Sequence, residues 1–412
     1  MTQALEGIRV LDLSRLLPGP YCSLLLADLG AEVIKIEEPT LGDPTRWTPP
    51  RIKETGIAFL NLNRNKKSLT LNLKDPQGVE VFHKLAQRAD VILEGFRPGV
   101  VDRLGIGYEA ITKINPGIVY CSLTGYGQDG PYRDRSGHDL NYLSLAGMLG
   151  LTTDEQGRPA IPGVQIADLG GALAATIAIL AGLLARDRLG RGQYIDVAMM
   201  DVAVALLQIA AATVFAGSSL AIGGRFGLNG LFPFYSIYET KDGQYISVGA
   251  LEPKFWKNFC QTLGRPDLAE KQFASGKERE AIFTELRHIF RSKLRQEWQQ
   301  VFAQADACCE PVLTLEEAFA HPQVQYRQMI TEVEHPDWGT IRQLGTPFKF
   351  SETPAAARTA APQLGQHTEE ILQELGYSEL QIRDLKKEGV TKAKGLLSNL
   401  WLRKIALKLI GE

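Results

Sequence analysis

The feature that most constrains this chain is an alternation. Over the first two hundred residues, short apolar runs take turns with segments of helical character. The runs fall at residues 9–13 (RVLDL), 32–37 (EVIKIE), 68–73 (SLTLNL), 90–94 (DVILE), 118–123 (IVYCSL) and 193–198 (QYIDVA). Between them, residues 20–29 open after Pro-Gly-Pro and close at Gly30, and residues 75–88 begin with an Asp cap and a first-turn proline. Those are helix start and stop signals with a physical basis. Strands alternating with helices predict an α/β fold: a mostly parallel sheet with helices on both faces.

The rest of the chain changes character. Residues 169–185, LGGALAATIAILAGLLA, are uncharged. They fall short of the roughly twenty residues a membrane span needs, and their Gly and Ala content predicts a buried helix packed through small residues. A second small-residue helix is expected over 199–215, which brings the large α/β domain to residues 1–215. A glycine-rich linker follows at 216–230. Residues 235–240 and 244–248 flank a Lys-Asp-Gly turn, a hairpin signature, and charged helices continue to about residue 304. These define a smaller α+β domain at 231–330. Strand-like runs return at 338–350, then helices at 368–375 and 378–387.

The C-terminal tail, 391–412, is basic and amphipathic. From Lys386 to the end there are seven basic and two acidic side chains, net +5, against −2 for the whole chain. Leu397, Leu400, Trp401, Ile405 and Leu409 share one helical face. Packing on this protein or on a second copy is the favoured reading. Peripheral contact with a membrane surface is the alternative.

Charge and composition exclude several classes. With 45 basic and 47 acidic side chains and 44% hydrophobic residues, the chain is neither a disordered polymer nor a charge-driven nucleic-acid binder. The five cysteines (Cys22, Cys121, Cys260, Cys308 and Cys309) are odd in number and form no C-x-x-C pair, which favours a reducing compartment. No signal peptide is visible in MTQALEGIRVLDL, so a cytoplasmic location is expected. The six histidines are scattered, with no H-x-x-x-H, and no metal site is expected. Neither G-x-x-x-x-G-K-[ST] nor a G-x-G-x-x-G after the first strand is present, and G-x-S-x-G is absent. Phosphate loops and a hydrolase nucleophile elbow are thereby excluded.

The chemistry concentrates in residues 125–171, which begin where a strand ends, the usual ligand edge of such a sheet. His138 follows a Gly-rich turn in the setting Ser-Gly-His-Asp. It reads as a structural histidine, or as an imidazole at a helix start, where the helix dipole favours the neutral base. Asp168, thirty residues on, directly precedes the long apolar helix. By position alone it is a helix cap, and a base or nucleophile second. Glu252, in VGALEPKFW, is by default a solvated loop residue. Its alternative role is to orient His138.

These residues sit in motifs that resemble the family III CoA-transferases of the CaiB/BaiF type, over about residues 5–390. The carriers are GIRVLDLSRLLPGPYCSLLLADLGAEVIKIEEP, NRNKKSLTLNLKDPQG, ILEGFRPGVVDRLGIGYE, SLTGYGQDGPY and GRGQYIDVAMMD. G-H-D-x-N-Y at 137–142 and G-A-x-E-P at 249–253 are most similar to the α-methylacyl-CoA racemase branch.

The resemblance implies a Rossmann-like large domain, to which residues 331–390 return, and an interlocked homodimer. It implies an acyl-CoA substrate, no cofactor beyond that CoA, and His138 and Asp168 as two bases with Glu252 as partner of His138. Enolate formation between two bases would epimerise a 2-methylacyl-CoA. In the transferase branch Asp168 is instead a nucleophile that moves CoA between carboxylic acids. The CoA handle is expected on Lys66, Lys67, Gly95, Phe96, Arg97 and Arg103, each of which also reads as an ordinary surface residue. Glu38 departs from the pattern, since the family often has arginine there.

Overall fold

The structure is a computed structural model describing residues 2–392 except Glu54 and Glu155. From residue 393 on, the basic tail lies outside the described residues.

The six apolar runs become one sheet. Its strands are β1 (Arg9–Asp12), β2 (Glu32–Glu37), β3 (Lys66–Thr70), β4 (Val91–Glu94), β5 (Val119–Thr124) and β6 (Gln193–Ala198). Their order across the sheet is β3-β2-β1-β4-β5-β6, with every neighbouring pair parallel. Val10 of β1 lies opposite Val33 on one side and Val91 on the other. Both faces are covered, so the strands are near-continuous Val, Ile and Leu rather than alternating. Val10, Leu11, Ile34, Leu69 and Ile92 are fully or almost fully buried. This is a doubly wound fold. The chain lays down β1, β2 and β3 on one side, then returns to place β4 against β1. The crevice opened by that reversal, at the C-terminal ends of β1 and β4, is where such sheets receive ligands.

Four helices position the site: α1 (Pro18–Asp28), α2 (Pro76–Ala86), α3 (Asp139–Leu145) and α4 (Ile166–Leu189). Asp75 caps α2 as expected, its Oδ1 accepting the N–H of Gln77 at 2.9 Å. The third strand runs from Lys66 to Thr70 rather than over 68–73. Its register with β2 begins at Val33 opposite Lys66 and ends at Glu37 opposite Thr70, and the Asn72 carbonyl then accepts from Asp75 in the turn into α2.

The expected helix over 199–215 is two helices, Met199–Ala205 and Gln208–Phe215; the apolar pattern runs through the break. Helix α4 corrects another expectation, since only one of its faces is buried. Ala167, Gly171, Ala172, Ala175 and Gly182 pack inward, where a Cβ on Gly171 would meet Met199 and one on Gly182 would meet Val119. The opposite face leaves Leu173, Ile177 and Leu184 exposed at 43%, 68% and 62%.

The chain divides into two compact units. The larger holds Met1–Met148, Pro162–Leu206 and the segment from Gln323 onward; the smaller holds Leu149–Ile161 and Leu207–Pro322. The boundaries at 206 and 322 lie several residues before the linker and domain end read from composition, and 149–161 joins the smaller unit. In the larger unit, the helices Thr368–Glu374 and Glu379–Lys387 return to the sheet. Ile371, Leu372, Ile382 and Leu385 lie in one buried cluster with Leu11, Ile34, Leu69 and Phe82. Each such side chain contributes about 1.5–3 kcal/mol when fully buried.

The smaller unit has an antiparallel sheet in the order Cys309–Pro311, Tyr245–Gly249, Tyr235–Glu239. Its core is aromatic, with Trp256, Phe259, Phe290, Trp298 and Phe302 buried together and Phe259 stacked on Phe302 at 5.7 Å between ring centres.

Candidate active site

The loop after β5 is built around one tyrosine. Tyr142 of α3 is buried, and its hydroxyl donates to the Gly137 carbonyl at 2.5 Å. The Tyr126 ring meets it edge-on at 5.1 Å. Gly125 and Gly137 press so closely on these rings that a Cβ at either would collide with them. The loop is pinned further by Gly127 N–H donating to Thr124 Oγ1 at 3.2 Å, Gln128 N–H to Asp196 Oδ2 at 2.9 Å, and Met200 N–H to the Gly125 carbonyl at 3.0 Å. A glycine-rich loop so held presents the next residues rigidly.

Those residues are His138 and Asp139. His138 is the N-cap residue of α3, in extended backbone conformation, and its N–H donates to Asn141 Oδ1 at 3.0 Å. Its side chain is exposed. Asp139 turns the other way. Its Oδ1 accepts the N–H of Ala167 at 2.7 Å and that of Asp168 at 3.2 Å. It thereby satisfies two of the donors that a helix start leaves open.

This revises the reading of Asp168. Helix α4 starts at Ile166, not Leu169, with Gln165 in the cap position. The capping carboxylate comes from Asp139, so the Asp168 carboxylate is free of that duty, and no described residue hydrogen-bonds to it. It is half-buried. Burial first, and the Asp139 charge second, push its pKa up to about 6, while His138 acts in the opposite direction. His138 and Asp168 are thus electrostatic neighbours, joined through Asp139.

Glu252 belongs to the smaller unit. It stands in the N-cap position of the helix Pro253–Thr262, exposed, just past the strand Tyr245–Gly249.

The expected CoA handle divides into two groups. Lys66 is 3% exposed, and its Nζ is enclosed by Ser23 Oγ, Asn63 Oδ1, the Pro20 carbonyl and Asp12 Oδ2, at 2.7 to 3.4 Å. Burial pulls its pKa down to about 8. Its neighbour in this ionic core is Lys35, paired with Asp43 at 2.9 Å. Lys66 therefore ties the end of β1 to α1, and its ammonium is not presented to a phosphate. Lys67 is partly exposed and pairs with Glu32 and Glu370 at 3.1 and 2.7 Å.

Gly95, Phe96 and Arg97, by contrast, follow β4 at the crevice. Arg97 and Arg103 are exposed, with no carboxylate partner among the described residues. Glu38 has a local use: its carboxylate accepts the N–H groups of Thr40 and Leu41, both at 2.8 Å. An arginine at this position could not close that turn, because guanidinium has no acceptor.

Two further residues of the crevice were not singled out by the sequence. The Arg15 guanidinium lies 5.6 Å from the centre of the Phe96 ring. Glu94, at the end of β4, is 1% exposed, and its Oε2 accepts the Phe96 N–H at 2.7 Å. Among the described residues, no cluster of three or more His, Cys, Asp or Glu side chains could hold a metal ion.

The doubly wound sheet, the exposed arginines that follow β4 and the raised Asp168 carboxyl near His138 are the features this chain brings to an enzyme family. The chain belongs to CoA-transferase family III, whose profile it matches over residues 5–368. It is 38% identical to succinyl-CoA:glutarate CoA-transferase of Homo sapiens, covering 94% of this chain and 89% of that one. It is 36% identical to alpha-methylacyl-CoA racemase of Mus musculus, covering 96% and 100%. Its fold matches the crystal structure of a CAIB/BAIF family protein from Brucella suis with a TM-score of 0.80 at 31% identity, over 91% of this chain and all of that one.

Proposed function

We propose that this enzyme epimerises 2-methyl-branched acyl-CoA thioesters. One base removes the proton α to the thioester, the C–H electron pair moves onto the carbonyl oxygen as an enolate, and a second acid returns a proton to the opposite face. His138 and Asp168 are the pair. When Asp168 takes the proton, His138 gives one, and the reverse direction exchanges the roles. No cofactor is needed beyond the CoA of the substrate.

The observation that carries the reading is the junction of α3 and α4, where Asp139, the residue directly after His138, accepts the N–H groups of Ala167 and Asp168. Burial, and then the Asp139 charge, push the Asp168 carboxyl up to about 6, so it holds a proton closer to neutral pH than an ordinary carboxylate and can both take and return one, as a reversible epimerisation requires. Arg97 and Arg103 are the proposed phosphate contacts, and Gly95 and Phe96 the proposed walls of the handle.

The proposal includes a homodimer. The apolar face of α4, with Leu173, Ile177 and Leu184 exposed, is the surface a second copy would cover. Glu252 of one copy would then orient His138 of the other.

A second reading is favoured by the 38% identity to a succinyl-CoA:glutarate CoA-transferase. There the Asp168 carboxylate attacks the thioester carbonyl, the C–S bond breaks, and CoA leaves as the thiolate while a mixed anhydride forms on Asp168. The thiolate then attacks the Asp168 carbonyl of that anhydride, which releases the donor as a free carboxylate and leaves an aspartyl-CoA thioester. The acceptor carboxylate attacks this thioester, and the freed thiolate takes the acceptor's acyl group from the second anhydride as the new CoA ester, restoring the Asp168 carboxylate. One experiment separates the two. A single epimer of a 2-methylacyl-CoA is incubated in D₂O, with and without a free dicarboxylic acid. Deuterium at Cα with CoA retained supports epimerisation. A new CoA ester, with hydroxylamine trapping at Asp168, replaces it by transfer.

A further inference from the structure

Asp139 is the residue that the proposed chemistry leaves unused, and it touches both halves of the site. It is the first residue of α3, directly after His138. Its Oδ1 reaches across to α4 and accepts the N–H groups of Ala167 and Asp168. Hydrogen bonds to a carboxylate are among the stronger ones available to a helix start, so this link fixes the main chain at Asp168 relative to the main chain at His138. We propose that Asp139 is a positioning residue that sets both the placement and the proton affinity of Asp168. The inference rests on the reading of Asp168 as the acting carboxylate.

The electrostatics support the geometry. A second carboxylate nearby disfavours ionisation of the first, and Asp139 is the largest charge effect on Asp168 after burial. The other groups facing Asp168 are few. His138 favours the ionised form. Tyr142, on the next turn of α3, is a neutral phenol whose own titration burial first, and Asp168 second, push upward. Asp139 thus keeps Asp168 basic enough to hold a proton near neutral pH, where general acid–base catalysis is most effective. A helix cap alone would not need charge, since serine or asparagine caps as well.

The test separates charge from capping. Asp139→Asn keeps an oxygen for the two N–H groups and removes the charge. Asp139→Ala removes both. The Asp168 carboxyl is followed by ¹³C NMR titration, its signal assigned by its loss in Asp168→Asn. The same variants are run through a pH profile of kcat/KM for α-proton exchange. In Asp139→Asn, the Asp168 midpoint and the acid limb of the profile are expected to move down together by about one pH unit. Asp139→Ala is expected to lose a further tenfold or more in kcat, on the order of what misplacing a reacting group costs.

An Asp168 midpoint in Asp139→Asn that matches the unaltered protein overturns the inference. The titration needs no substrate, so it reports on Asp139 even if Asp168→Asn retains full exchange and the functional reading fails.

Discussion

Glu94 is tied to Phe96: its carboxylate, 1% exposed, accepts the Phe96 main-chain N–H on Oε2 at 2.7 Å. The bond closes the tight turn by which β4 leads into the Gly95-Phe96-Arg97 loop at the crevice. It also places an acid where water cannot solvate it.

That burial makes a prediction for stability. Burial is the main reason the Glu94 carboxyl is pushed up to about 7, from an ordinary value of 4.5, with Asp102 and Asp196 adding to it. The folded pKa lies above the unfolded one. The stability it contributes is therefore fully present below about 4.5 and is lost as pH rises to about 7. Over that window the loss is about 3 kcal/mol. Glu94→Gln keeps an acceptor for Phe96 and removes the titration. Urea unfolding of the two proteins at pH 4.5 and pH 8 is expected to show the variant gaining on the parent by that amount. A constant difference at the two pH values would mean the carboxyl is not held neutral.

Lys66 and Arg97 are expected to respond in opposite ways. Lys66→Met leaves Asp12 buried, although Lys35 still acts on it, and breaking a buried ion pair typically costs about 3–5 kcal/mol. Its melting temperature should fall, and acyl-CoA affinity measured on the folded fraction should stay close to that of the parent. Arg97→Ala should leave the melting temperature unchanged and weaken acyl-CoA binding about tenfold, with a KM rise that shrinks at high salt. If Lys66→Met folds normally and loses CoA affinity instead, the enclosed ammonium has a binding role that its burial argues against.

The exposed face of α4 predicts an oligomer. Ile177→Asp places a charge in the middle of that face without touching the packed side, where Ala175 and Ile179 lie. Sedimentation equilibrium is expected to read a dimer for the parent and a monomer for the variant, and under the proposed arrangement the monomer loses activity, since Glu252 of one copy would no longer be able to orient His138 of another. A parent that sediments as a monomer at micromolar concentration rules out the dimer.

Much of the fold was legible in the residues. Five runs, at 9–13, 32–37, 90–94, 118–123 and 193–198, became strands to within a residue, because strands covered on both faces need unbroken apolar sequence. The run at 68–73 misled because Lys66 and Lys67 look solvent-facing, yet buried Asp12, Ser23 and Asn63 let Lys66 sit inside a strand. His138 and Asp168 stood out through their motifs.

Asp139 did not, since its effect is on main-chain groups 28 and 29 residues away. Its only trace is a carboxylate directly after the histidine at a helix start. Glu94 carried a plainer signal, an acid ending a strand whose other members are all buried. The one-sided burial of α4 was invisible, because an apolar helix reads alike whether its outer face meets the same chain, a second copy or nothing.

The central claim is that two groups serve opposite faces of one carbon. It is tested by measuring washout of the α-hydrogen into D₂O from each epimer separately, before the epimers equilibrate, in His138→Gln and Asp168→Asn. A crossed pattern is predicted: each variant exchanges freely from one epimer, and the epimer that survives differs between the two. Equal loss from both epimers in both variants, or no loss in either, would contradict the two-base claim.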